Sequence, residues 1–177
     1  MPRQLLHVAV PAIAALFLAG TAAAQGRPGP RALGTFQSWT AATAQENGQK
    51  VCYAFARAAR SEGAPGNRGP VTLTITHRPN GRDQVALSVG YALGRAAESE
   101  LAVGNQEFKS YAVVQTSAFF QNGGQLVAAL RNGRDAVAKT PPPSGRGAVT
   151  DSFPLSGFSA AYEAISRECP AQARAGR

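Results

Sequence analysis

Two cysteines more than a hundred residues apart constrain this chain most, because the residues ahead of them read as an export signal. A thiol pair that leaves the cytoplasm is expected to be oxidised. Whatever fold lies between Cys52 and Cys169 must then bring its beginning and its end together. The export reading rests on a basic start at Arg3, an apolar run from Val8 to Leu18 broken only by Pro11, and the small residues Ala22-Ala23-Ala24. This layout predicts a signal peptide over residues 1–24, cleaved after Ala24. The apolar run falls short of the ~20 residues that a spanning helix needs. No Cys follows Ala24 to accept a lipid, and no later stretch is apolar enough to span. The expected product is a soluble periplasmic or secreted protein with no transmembrane segment.

Removing the signal leaves about 150 residues, which suffices for one domain with a real core. Gly and Pro are plentiful, at 19 and 12, while aromatic residues make up only 7%. That balance suits a turn-rich β protein better than a helical bundle. The formal charge of +8 drops to +7 when Arg3 leaves, so the product is still basic. Nucleic acid is not the expected partner: an exported protein seldom meets it, and the aromatic-plus-basic spacing of a stacking platform is missing. Membrane lipid, lipopolysaccharide or an acidic host surface are the candidate anionic partners. A basic shell that aids solubility is the preferred reading over all three.

Residues 25–33, rich in Gly, Pro and Arg, read as a disordered lead-in, residues 34–170 as the β-rich domain and 171–177 as a disordered tail. From Val71 the chain alternates, with Val71, Leu73 and Ile75 on one face and Thr72, Thr74 and Thr76 on the other. Turn chemistry follows at Arg78-Pro79-Asn80-Gly81-Arg82, and Val85, Leu87, Val89 and Tyr91 resume the period of two. This predicts a hairpin. Further short strands are expected around 108–114, 126–130, 136–139 and 148–153, with Asn122-Gly123 and Asn132-Gly133 as turns. The expected architecture is an antiparallel β-sandwich or open barrel.

The end of the chain changes period. Phe158, Ala161, Tyr162, Ile165 and Cys169 fall on one stripe at helical spacing, with Ser156 as the expected N-cap and Glu163 and Arg167 paired on the opposite face. One C-terminal amphipathic helix therefore closes the domain. Cys52 lies in the strand-like run Lys50 to Ala56, sharing a face with Ala54 and Ala56, small enough for that helix to approach. A docked helix would bring the sulfurs together. A reactive thiol and a metal ligand are the competing readings, but neither Cys sits in a C-x-x-C and zinc needs about four ligands.

Chemistry is otherwise hard to find. His77 is the sole His after processing and is expected as an exposed residue at a strand exit; no nucleophile motif accompanies it. Glu98, Glu100 and Glu107 read as a solvated, loop-like group, and zinc-protease, EF-hand and phosphate-cradle patterns are missing. No metal or cofactor is expected. Arg146 and Asp151 are expected to pair across the late loop and strand.

With these residues read, the segment from Ser144 to Ala161, containing Leu155-Ser156-Gly157-Phe158, resembles the closing signature of the invasion-associated locus B family. Val51-Cys52-Tyr53, Val71 to His77 followed by Arg78-Pro79, and Leu126 to Gly133 agree with it. Many members carry a second Cys pair where this chain has Tyr111 and Ser117, so it resembles a two-cysteine branch; Pro154 stands where Ser is frequent. The resemblance implies a virulence-associated periplasmic or surface β-sandwich protein. The expected function is a non-catalytic cell-envelope protein that binds an envelope or host component. A periplasmic ligand carrier or hydrolase is the alternative. Arg78, Arg82, Arg131 and Arg134, at the two Asn-Gly turns, form the candidate basic binding edge, with plain solvation as the preferred reading.

Overall fold

A computed structural model describes residues 29–171, so the signal segment and most of the expected tail lie outside the described residues. The described residues begin with three antiparallel strands: β1 (Arg31–Phe36), β2 (Trp39–Glu46) and β3 (Gln49–Arg57). Strand order thus begins at Arg31, inside the stretch 25–33 expected to be a lead-in. Asn47 and Gly48, both at positive φ, turn β2 into β3, as the twist of a two-residue hairpin requires. The expected hairpin follows as β5 (Thr72–Arg78) and β6 (Gly81–Ser88), with Pro79-Asn80 at its tip. Leu73, Ile75, Val85, Leu87 and Val89 are buried as the alternation demands. Tyr91, also buried, lies past the end of β6, after Gly90 has turned the chain at φ +74°.

The remaining strands are β4 (Arg60–Glu62), β7 (Glu100–Val103), β8 (Gln106–Val114), β9 (Ser117–Phe120), β10 (Asp135–Thr140) and β11 (Val149–Pro154). They give one open antiparallel sheet ordered β1-β2-β3-β5-β6-β9-β8-β7-β10-β11-β4. β8 is the joint: its first half pairs with β7 and its second half with β9. A bulge between Ser110 and Ala112 marks the change of partner. The glutamates expected in a loop are placed by this region, Glu100 in β7 and Glu107 in β8.

The expected strand at 126–130 is instead part of a helix, α1 (Gly123–Asn132). Leu126, Val127, Ala129 and Leu130 are buried while Ala128 is exposed, which is a helical period and not an alternation. The Ala and Leu of this run also favour helix. Asn122-Gly123 and Asn132-Gly133 therefore flank a helix, not a pair of strands. The closing helix, α2 (Phe158–Glu168), packs on β1, β2 and β3 through Phe158, Ala161, Ala164 and Ile165. Trp39 meets Phe158 edge to face at 4.8 Å and donates its Nε1–H to the Pro154 carbonyl at 3.0 Å.

The N-cap of α2 is Gly157 and not the expected Ser156, whose hydroxyl instead lies 3.3 Å from that of Ser38. Gly157 adopts φ +87°, and a Cβ there would overlap the Phe36 carbonyl oxygen in the turn between β1 and β2. Gly157→Ala is expected to cost about 1–3 kcal/mol, read as a lower urea midpoint at unchanged slope. Gly124→Ala, with open space at the first turn of α1, should be neutral or slightly stabilising. Equal effects at the two positions would show that the approach of Phe36 does not require glycine.

Candidate functional site

The end of α2 gathers most of the chemistry-bearing residues. Cys169 follows its last turn and is disulfide-bonded to Cys52 of β3, with Cα atoms 6.0 Å apart. Cys52, Ala54 and Ala56 are buried on the face that the helix covers. In the next strand His77 is the register partner of Cys52, so the bridge, the histidine and the β5–β6 turn meet at one end of the sheet.

His77 is a correction to the expected exposed edge residue: it is 1% exposed. The β5–β6 turn is short enough to bring Asp83 back to it, with His77 Nε2 3.1 Å from Asp83 Oδ1. Tyr162 of α2 donates its hydroxyl to the same oxygen at 2.7 Å and packs its ring edge to face on the imidazole at 5.3 Å. The hydrogen bond from His77 is the main cause holding the Asp83 carboxyl below its usual range, with Tyr162 adding to it. Burial, then the bond to Asp83, pushes the Tyr162 phenol up. With Asp83 as acceptor the network assigns the proton to Nε2, leaving buried Nδ1 without a partner among the described residues. This cluster seats α2 on the hairpin.

The flanking arginines are held, not free. Arg78 forks onto Glu46, through Nε at 2.9 Å and Nη2 at 3.1 Å, and also bonds Gln84. Arg82 reaches over the helix end to the Cys169 carbonyl and the Ser166 hydroxyl. Lys50 and Arg31 both pair with Glu168. The hydrogen bond from Lys50 is the main cause lowering the Glu168 carboxyl. Lys50, Arg78, Arg82 and Glu168 line a depression of about 420 Å³ beside the disulfide.

The four arginines of the candidate edge have different neighbours. Arg78 and Arg82 share the depression, whereas Arg131 pairs with Glu163 at 3.0 Å and lies over the Tyr162 ring. Arg134 stands between α1 and β10 and is exposed. Glu163 is thus taken by Arg131 instead of the expected Arg167. Asp151 pairs with Arg68 and Ser61, not with Arg146, which is exposed. Lys50, Asp83, Tyr162 and Glu168 were missed as neighbours by sequence reasoning. The one local signal was Asp83, two residues past the turn glycine on the strand that returns to His77. Among the described residues no group of three or more His, Cys, Asp or Glu could hold a metal ion. No described helix is long and apolar enough to cross a membrane.

An open antiparallel sheet closed by one helix, with that helix end bonded back to β3, defines a disulfide-fastened β protein. The profile of the family described as "Invasion associated locus B (IalB) protein" matches residues 39–166. The chain belongs to that family, and its single bridge fits the two-cysteine branch. The crystal structure of invasion associated protein B from Bartonella henselae has the same fold, with TM-score 0.51 and 20% identity, covering 76% of this chain and 95% of that one. No curated protein matches.

Proposed function

We propose that this family member is an exported, non-catalytic protein of the cell envelope that binds an anionic envelope or host-surface component. The observation that carries the reading is the depression at the bridged end. Among the described residues that line it, Lys50, Arg78 and Arg82 face one carboxylate, Glu168, while Arg31 pairs with that same Glu168 from β1 and Asp83 is turned inward onto His77 and Tyr162. A surplus of held cations presents a fixed positive field, and held arginines lose less freedom on binding than loose ones. The disulfide supports export, because such bridges persist in oxidising compartments. The non-catalytic part is supported by the closure of His77, which a substrate does not reach.

The test is binding of the oxidised protein to vesicles containing anionic lipid and to lipopolysaccharide, across a salt series. Affinity should fall steeply with salt. Arg78→Ser with Arg82→Ser should weaken it roughly thirtyfold, from about 1 kcal/mol per basic residue at an anionic surface. Arg134→Ser should leave it unchanged. Salt-insensitive binding, or equal losses for Arg134 and for the pair, would overturn the assignment. The same protein recovered from a periplasmic fraction should begin at Gln25.

A further inference from the structure

We infer that the surface where β8, β9 and the start of α1 meet is a binding site for a neutral oligosaccharide, adjoining the cationic depression, with which it shares Arg82. Two adjoining depressions, of about 510 and 520 Å³, share Gln121 and Asn122 as their common wall. Each lies within the ~300–1,000 Å³ of ordinary small-molecule sites. Into the first converge four primary amides, Gln106, Gln121, Asn122 and Gln125, from a strand, a turn and a helix. None of the four has a side-chain hydrogen bond among the described residues. Each amide offers two donors and an acceptor with two lone pairs. That matches vicinal hydroxyls, which each donate once and accept twice and so use both halves of the amide, whereas a phosphate or carboxylate, which only accepts, uses the N–H donors alone.

The aromatic component comes from the bulge. Tyr111 is the extra residue between Ser110 and Ala112, and it is 60% exposed, one of two large apolar residues so exposed among the described residues. Bulges re-aim a side chain out of the alternation and are common beside functional sites. Here the ring borders the second depression, while half-buried Phe108 lines the first. A saccharide presents an apolar C–H face as well as hydroxyls, and an exposed phenol ring flanked by free amides offers a surface to each.

Charge points the same way. The first depression holds one cation and one anion, Lys109 and Glu107, and Lys109 is already bonded to Glu98 at 2.7 Å. The second also holds one of each, Arg82 and Asp83, with Arg82 bonded to the Cys169 carbonyl, so a polyanion would find no surplus of cations in either.

The experiment uses the oxidised full chain and three neutral probes: an N-acetylglucosamine tetrasaccharide, a mannose tetrasaccharide and lacto-N-tetraose, with a heparin fragment as anionic control. Side-chain amide resonances are followed by NMR and affinities by calorimetry. At least one neutral probe should shift the amide groups of Gln106, Gln121, Asn122 and Gln125, at an affinity insensitive to salt. Tyr111→Ala and Gln125→Ala should each weaken it roughly tenfold, the loss of a well-placed contact, with circular dichroism unchanged because both side chains are exposed. If no neutral probe moves these amides at millimolar concentration, or if Tyr111→Ala binds as tightly as the parent, the inference fails. Binding of the heparin fragment alone, mapped to Lys50 and Arg78, which line only the cationic depression, would refute the saccharide site while supporting the anionic one.

Discussion

Replacing both Cys52 and Cys169 by Ala is expected to remove about 4–5 kcal/mol of folding stability. The bridge closes a separation of 117 residues, and the chain-entropy model puts a loop of that size near 4.7 kcal/mol. Against a total of about 5–15 kcal/mol for an ordinary domain, that is a third or more of what keeps the chain folded. The loss should be uneven. Phe158, Ala161 and Ile165 remain buried and Trp39 still packs on Phe158, so the start of α2 stays docked. Its last turn is retained by less: Arg82 on the Cys169 carbonyl and Lys50 on Glu168, both near solvent. Hydrogen exchange in the variant should therefore quicken first over Ser166–Cys169, then over the whole helix. Urea unfolding of oxidised and variant protein measures the total. A difference below about 1 kcal/mol would mean that the unfolded chain already holds its ends together, against the entropic model.

How far the residues alone reveal this fold depends on the range of the interaction that decides each element. The β5–β6 hairpin was legible because alternation and turn chemistry are both local, and α2 because five apolar residues spaced over three turns leave only a helix. The run Leu126 to Leu130 was not legible. Five apolar residues fit a buried strand or one face of a helix equally well, and length decides only when the flanks are read correctly. Asn122-Gly123 and Asn132-Gly133 looked like hairpin turns. The Asn-Gly pair that does turn one strand into the next is Asn47-Gly48, between β2 and β3. A dipeptide reports a bend, and the strands on either side make it a hairpin.

The candidate site was less legible than the fold for a related reason. The two cysteines were readable together because compartment and count leave one pairing. His77 was placed at the surface because its immediate neighbours are turn residues, yet α2, eighty residues later, covers it through Tyr162. Arg78 and Arg82 sit at the hairpin as the sequence suggests, but the partners that hold them, Glu46 and the end of α2, come from the first and last parts of the chain. Charge pairing across such distances has no local signature. Arg146 looked like the partner of Asp151 for no better reason than proximity.

The residue that does pair with Asp151 carries the second large expected effect: Arg68→Ala should destabilise the protein by about 3–5 kcal/mol. Asp151 is fully buried on β11, and the Arg68 side chain, only 9% exposed, is carried by the loop between β4 and β5. Arg68 bonds both carboxylate oxygens, with Nη1 to Oδ2 at 3.2 Å, and gives a further bond to the Ser61 hydroxyl at 2.7 Å. Ser61 in turn donates to Asp151 Oδ1 at 2.6 Å. This network ties β4, a three-residue edge strand, to β11 and draws the following loop down over it. Truncating Arg68 strands a carboxylate in the interior with one hydroxyl as its remaining donor. The cost is then the stranded charge and not the lost contact, and this can be separated experimentally. In the Arg68→Ala background, Asp151→Asn should restore part of the loss, because it removes the unpaired charge at nearly constant shape. In the parent the same substitution should destabilise, because it weakens a satisfied pair. Urea denaturation of the four proteins gives the cycle. If Asp151→Asn destabilises equally in both backgrounds, the two residues are not energetically coupled and the loop is held by something other than this charge pair.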